Sequence, residues 1–229
     1  MVYILSGEDI SSSRTRLLSL VNKDSQILRF DGRKNSSSEI LEAFEAKSLF
    51  SEKKTIILEY FAKLKSDKVF EKAKSFIKDP DTILILWDEA DVPRGVIKEL
   101  SAAKSESFVF PKVFYQFIDG ISPSNRETSA KLLNSLLKTL AAEQILYSIT
   151  KRVRALCIFK EGFGSNYSET LNLAPWQVEK LARQANEWTK EGLSKFLLKL
   201  SQTDELLKTS GLPMSLAAHL DTMLLSDLN

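Results

Sequence analysis

Thr82-Ile83-Leu84-Ile85-Leu86-Trp87-Asp88-Glu89 is the stretch on which the fold turns. Its apolar run has strand length and no polar alternation, which predicts a β-strand buried on both faces. Such strands belong to parallel sheets covered by helices. Working outward, Tyr3-Ile4-Leu5, Gln26-Ile27-Leu28-Arg29-Phe30 and Thr55-Ile56-Ile57-Leu58 read as further strands, and Ser107-Phe108-Val109-Phe110 as a short last one. Between them lie segments of helical period: Ile10, Leu17, Leu18 and Val21; Ile40, Leu41 and Phe44; Val69, Ala73, Phe76 and Ile77; and, opened by Pro93, Val96, Ile97 and Leu100. Ser36 and Glu39 have the spacing of a capping box. Strand–helix alternation with short connections predicts a doubly wound α/β domain over residues 1–110.

After Pro111 the period changes. Leu132, Leu133, Leu136, Leu137 and Leu140 form one helical stripe, and Ile145, Leu146, Ile149, Val153 and Leu156 another. A Gly-rich break follows at Gly162-Phe163-Gly164-Ser165-Asn166. Pro175 then opens a helix through Leu181, Ala185 and Trp188, Leu193 to Leu200 continue the pattern, and Pro213 opens the last helix. Proline suits a first helical turn, where its missing N–H has no partner to lose. Residues 111–229 are therefore expected to form an all-α domain of about five helices.

The 229-residue chain carries 32 basic and 30 acidic residues, a net charge of +2, so its overall field is too weak to mark a nucleic-acid binder. Cys157 is the sole cysteine, which excludes an intrachain disulfide and a Cys-based zinc site and fits a reducing cytosol. The N-terminal run Val2 to Leu5 lacks the basic region and longer apolar core of a signal peptide. No segment approaches the ~18 apolar residues of a membrane span. A cytoplasmic protein without membrane contact is expected.

A doubly wound domain invites a search for a phosphate loop, and the first strand leads into Ser6-Gly7-Glu8-Asp9-Ile10-Ser11-Ser12-Ser13. A working P-loop needs several glycines and a Lys-Ser/Thr pair. Here one glycine is followed by two carboxylates, which repel phosphate, and the dinucleotide fingerprint is equally absent. Asp88 and Glu89 end their strand as the Mg²⁺-binding and water-activating carboxylates of many ATPases do. The plainer reading is that they close a buried strand and start a capping turn. A divergent NTPase using Asp88 and Glu89 is kept as the alternative. His219, the only histidine, and Cys157 both fall in helical stripes, so packing roles are expected rather than catalysis. No catalytic residue, metal site or cofactor is expected. Lys151, Arg152, Arg154 and Lys160, and Lys63, Lys65, Lys68, Lys72 and Lys74, form mild basic clusters. These read as solvated helix faces or, as a further alternative, as the phosphate track of a nucleic-acid-binding module.

Leu49 and Phe50 stand apart from the local pattern. If the helix after Ser36 runs that far, ~100° per residue points Phe50 opposite Leu41. An exposed Leu-Phe tip has the shape of an anchor for a protein pocket; a helix ending earlier would instead turn both residues back into the core, and pattern alone favours that second reading.

Several stretches, taken in order, carry a family resemblance. Gly7-Glu8-Asp9 follows the first strand, and Lys47-Ser48-Leu49-Phe50-Ser51-Glu52-Lys53-Lys54 runs into Thr55-Ile56-Ile57-Leu58. Phe114 to Asp119, Lys131-Leu132-Leu133 and Arg152-Val153-Arg154-Ala155-Leu156 come next. Leu173-Ala174-Pro175-Trp176-Gln177-Val178-Glu179-Lys180-Leu181-Ala182-Arg183-Gln184-Ala185 and the segment from Leu193 through Asp204 to Gly211 complete the series. Together they resemble the delta subunit of the bacterial DNA polymerase III clamp loader across nearly the whole chain. The resemblance implies an AAA+-type α/β domain that has lost ATP binding, a small helical lid, and a helical collar that joins the clamp-loader subunits. It further implies that Leu49 and Phe50 are the wedge that enters a pocket of the ring-shaped sliding clamp and helps open it, reversing the pattern-only reading. The implied partners are the sliding clamp, the other clamp-loader subunits through residues 111–229, and DNA mainly through the complex. One departure stands out: Phe108-Val109-Phe110 passes almost directly into Phe114-Tyr115-Gln116-Phe117, leaving no sequence for the lid. That bears on packing against a neighbouring ATPase subunit and leaves the wedge and collar untouched.

Overall fold

The structure, a computed structural model, describes residues 1–22, 24–46, 53–64, 67–90, 92, 94–226 and 228. It divides into two compact units, Met1–Phe110 and Pro111–Asn229.

In the first unit β1 (Val2–Ser6), β2 (Gln26–Asp31), β3 (Lys54–Glu59), β4 (Thr82–Asp88) and β5 (Lys104–Ser107) form one sheet in the order β2-β3-β4-β1-β5. Every pairing is parallel, with Leu86 opposite both Ile4 and Leu58. The period of two sorts the strand residues onto two faces. Ile4, Ile56, Leu58, Leu84 and Leu86 pack against α2 (Ser37–Glu45) and α3 (Asp67–Ser75) through Ile40, Phe44, Val69 and Ala73. Leu5, Ile57, Ile85 and Trp87 face the other way, onto Leu17 of α1 (Ile10–Leu20). A short α4 (Arg94–Glu99) precedes β5. The architecture is a doubly wound parallel sheet with helices on both faces.

The predicted pattern departs from the structure where the sheet ends. Burial on both faces holds for β1, β3 and β4, whereas β2 is an edge strand with Ile27 exposed. The last strand is the polar Lys104–Ser107, with Phe108-Val109-Phe110 following it. An edge strand buries too little to require an apolar run, so its sequence carries no hydrophobic signature. On α1, Ile10 and Leu18 are exposed and Ser13 is fully buried in their stead. The reason is polar satisfaction: the buried Trp87 indole N–H donates to Ser13 Oγ at 3.1 Å. The capping box is as expected, with the Glu39 amide donating to Ser36 Oγ and the Ser36 amide to Glu39 Oε2. That helix ends at Glu45 with Ala46 already extended, so the wheel argument for Phe50 does not apply. Leu49 and Phe50 themselves lie outside the described residues, as does Pro93.

The second unit comprises, among the described residues, α5 (Lys112–Gly120), α6 (Arg126–Leu136), α7 (Ala142–Lys160), α8 (Gly164–Thr170), α9 (Pro175–Asn186), α10 (Lys190–Lys208) and α11 (Leu216–Ser226). The 19-residue α7 is its axis, packed by α9 and α10. Its predicted stripe, Ile145 through Leu156, is buried throughout. Three expectations shift: the unit has seven α-helices among the described residues where about five are expected. The Gly-rich break contains the start of α8, with Gly162 at φ +90° ending the previous run. The last helix starts at Leu216, after Pro213, where Ser215 Oγ accepts the Ala218 amide.

Buried polar groups close the bundle. Gln184 Nε2 donates to the Ile118 and Ile121 carbonyls at 2.9 and 3.0 Å, and Trp188 Nε1 donates to Ile121 at 3.3 Å. These side chains satisfy carbonyls that the end of α5 leaves without intrahelical partners. Phe117 of α5 is fully buried. Phe117→Ala is expected to cost about 3–5 kcal/mol through lost burial and a residual cavity; urea unfolding followed by far-UV circular dichroism measures it.

Candidate functional site

The carboxyl ends of β1, β3 and β4 meet where open α/β sheets usually hold their ligands. Here that place is filled by the protein's own groups. Gly7 turns the chain at φ +122°, and a Cβ on it would stand 2.1 Å from the Phe108 carbonyl oxygen. The Phe108 amide donates to Ser6 O at 2.7 Å, and the Asp9 amide donates back to Phe108 O at 3.0 Å. One loop amide that would face a phosphate is thus bonded to the main chain after β5.

Asp9 is buried and caps α1. Its carboxylate accepts the Ser12 amide at 3.1 Å and the Ser12 hydroxyl at 2.7 Å. A helix N-terminus attracts anions through its free amides and its dipole. Asp9 places its own side chain at that terminus, where it accepts from the first turn of α1.

Asp88 is likewise engaged. It is 2% exposed, its Oδ2 accepts the Ala62 amide at 3.1 Å and its Oδ1 accepts the Ala90 amide at 3.4 Å. The carboxylate ties the end of β4 to the 3-10 turn Phe61–Lys63 and to its own turn, while Glu89 is exposed. This is the capping arrangement. Among the described residues no group of three His, Cys, Asp or Glu side chains could hold a metal ion.

Beside it lies a layer that the sequence did not announce. Arg14 meets Glu59 with two bonds, at 2.5 and 3.2 Å, and its guanidinium lies 3.7 Å from the centre of the Trp87 ring. Tyr60 stands edge-on to Trp87, and Arg33 covers Tyr60 at 3.3 Å while pairing with Asp31 at 2.7 Å. The Arg33 side chain, bonded to the Asp31 carboxylate, holds that carboxyl down at about 2. Planar guanidinium groups suit both bidentate pairing and stacking on aromatic faces. The partners come from α1, β2, β3 and β4, whose separation in sequence hides the cluster from any local pattern.

The remaining candidates are accounted for individually. Arg152, from the first basic cluster, is paired with Asp119 at 2.8 Å, and Lys180 shares that carboxylate. Burial pushes the Arg152 guanidinium down, with Asp119 opposing. On α3, Lys72 pairs with Glu45 and Lys74 with Glu71. A phosphate track built on these side chains would have to break their ion pairs. His219 Nε2 lies 3.0 Å from Thr203 Oγ1, and burial pushes the Cys157 thiol up, which disfavours the thiolate needed for nucleophilic work. No described helix is long and apolar enough to cross a membrane.

The family model for the DNA polymerase III delta subunit matches residues 4–110, and that for the C-terminal domain of the same delta subunit matches residues 112–225. The chain belongs to the DNA polymerase III delta subunit family. Its membership assigns it a role in replication clamp loading. The two matches leave only residue 111 between them, and the chain passes from β5 to α5 without an intervening helix. No curated protein matches the chain in sequence. Among solved structures, the Bacillus subtilis DNA clamp loader delta protein (YqeN) is 16% identical over 98% of this chain and 94% of that one, with a TM-score of 0.45. A DNA polymerase III gamma subunit-related protein from Thermotoga maritima is 14% identical over 100% and 95% of the two chains, TM-score 0.37. The T. maritima RuvB Holliday junction branch migration motor is 13% identical over 99% and 76%, TM-score 0.35.

The tight approach at Gly7 yields a test of the filled loop. Gly7→Ala places a side chain at positive φ against backbone, a strain of about 1–3 kcal/mol. The expected outcome is a lower urea midpoint with an unchanged slope.

Proposed function

We propose that this delta-family chain is a non-catalytic subunit that binds the sliding clamp through Leu49 and Phe50 and helps open it for loading on primed DNA. The observation that carries the reading is the family match across both units. In the same proposal residues 111–229 join the other clamp-loader subunits, DNA is met mainly through the assembled complex, and the protein works in the cytoplasm without a cofactor. A lone cysteine with a raised thiol is in keeping with that compartment.

Two physical arguments support the division of labour. The first βα loop already holds its own anion, Asp9, and its own backbone partner, Phe108, so a nucleotide has neither charge nor space on its side. For the wedge, burying each large apolar side chain is worth about 1.5–3 kcal/mol. Two such anchors contribute about 3–6 kcal/mol together, a large share of the ~8.2 kcal/mol of a micromolar contact, and the surrounding interface supplies the rest.

Mixing the purified chain with the sliding clamp of its own organism tests the contact directly. Leu49→Ala with Phe50→Ala is expected to weaken binding by about 100-fold, since central apolar anchors carry most of an interface's energy. Undiminished affinity in that variant would overturn the wedge. The divergent-NTPase reading makes the opposite demand of a second experiment. A ligand that binds only the folded state raises the melting temperature. With ATP and Mg²⁺ the melting temperature is expected to stay flat; a concentration-dependent rise would restore Asp88 and Glu89 as candidates.

A further inference from the structure

Lys54 opens β3, yet it is one of the few buried charged residues among those described, only 7% exposed. A strand start of this kind is ordinarily served by an apolar side chain, because burying an ammonium carries a desolvation cost. Its bonds say where that cost is offset. Nζ donates to the carbonyls of Ala43 and Ala46, the second at 2.8 Å. Ala43 lies in the last turn of α2 and Ala46 is its C-cap, so the cation sits at the negative end of the helix and takes up carbonyls that the helix leaves free. Burial pushes the Lys54 ammonium below its ordinary value, with Asp79 opposing.

The same bonds join two chain positions that flank Leu49 and Phe50. Ala46 precedes that pair and Lys54 follows it. Around them the rims are pinned to the rest of the unit. The Lys54 amide donates to Asp81 O at 2.8 Å, the Gln26 amide donates to Lys53 O at 3.0 Å, and Lys72 Nζ pairs with Glu45 at 3.1 Å. Stability alone does not require a buried cation at this point: Ala46 is exposed, so water could reach its carbonyl. What the cation adds is a fixed distance between the end of α2 and the start of β3.

We propose that Lys54 is a positioning residue for the clamp contact, holding together the two ends of the segment that carries Leu49 and Phe50. This rests on the wedge reading given above. An anchor whose supports are already fixed loses less freedom on binding, and the saving appears as affinity.

Lys54→Met keeps the length of the stem and removes the donors. In the full chain it is expected to weaken clamp binding about tenfold, to leave the melting temperature unchanged or raised, and to speed exchange of the Ala46 and Lys54 amides, which bond to Glu42 and Asp81, but not of those across β4. Lys54→Arg, which keeps donors on a long stem, is expected to recover most of the affinity; an affinity that falls only in step with the melting temperature overturns the proposal. Wild-type affinity and unchanged exchange in Lys54→Met, alongside a Leu49→Ala/Phe50→Ala variant that has lost binding, overturn it while the wedge stands. If the double variant binds as well as the wild type, the wedge falls and this role falls with it.

Discussion

Burial of β4 on both faces governs the first unit. A strand as apolar as Thr82–Trp87 has no side to give to water, so it must lie between two others and beneath helices on either face. Parallel pairing with β1 and β3 meets that demand and brings their carboxyl ends to one rim. The rim is where such sheets bind ligands, because loops and helix N-termini converge there. Everything distinctive about this unit concerns what occupies that rim.

Asp9, the Phe108 carbonyl, Asp88 and the Arg14–Glu59 pair over Trp87 occupy it. Each uses a group that a nucleotide-binding protein keeps free for its ligand: a loop amide, a helix N-terminus, a strand-end carboxylate, an arginine. A buried carboxylate held by backbone amides stays in place without any ligand. The rim of the sheet is thus held by the chain's own hydrogen bonds.

The sequence was legible where burial dictated residue type. The apolar runs at β1, β3 and β4, the capping box at Ser36 and Glu39, and the stripe on α7 all follow from short-range periodicity. It was opaque where partners are distant. Ser13 is buried because Trp87 needs an acceptor, and Arg152 is a half-buried ion-pair member rather than a free surface cation, and neither fact has a local signature. The loop after β1 was half legible: Gly7-Glu8-Asp9 departs from the phosphate-loop pattern, but the Phe108 carbonyl that packs against it comes from the far end of the unit. Leu49 and Phe50 drew their meaning from family likeness alone, since a pair of apolar residues beyond a helix end has no pattern of its own.

The polarity of β5 has one more consequence. An open sheet displays unpaired main-chain groups at its margins, and a flat apolar margin invites another chain to add itself, the first step towards aggregates. Lys104 and Glu106 on β5, and Arg29 on β2, put charge along both margins of this sheet. The trait that concealed the last strand from a search for apolar runs thus also guards the sheet against its own copies, a protection of most value while the chain is newly made and has yet to meet its partners.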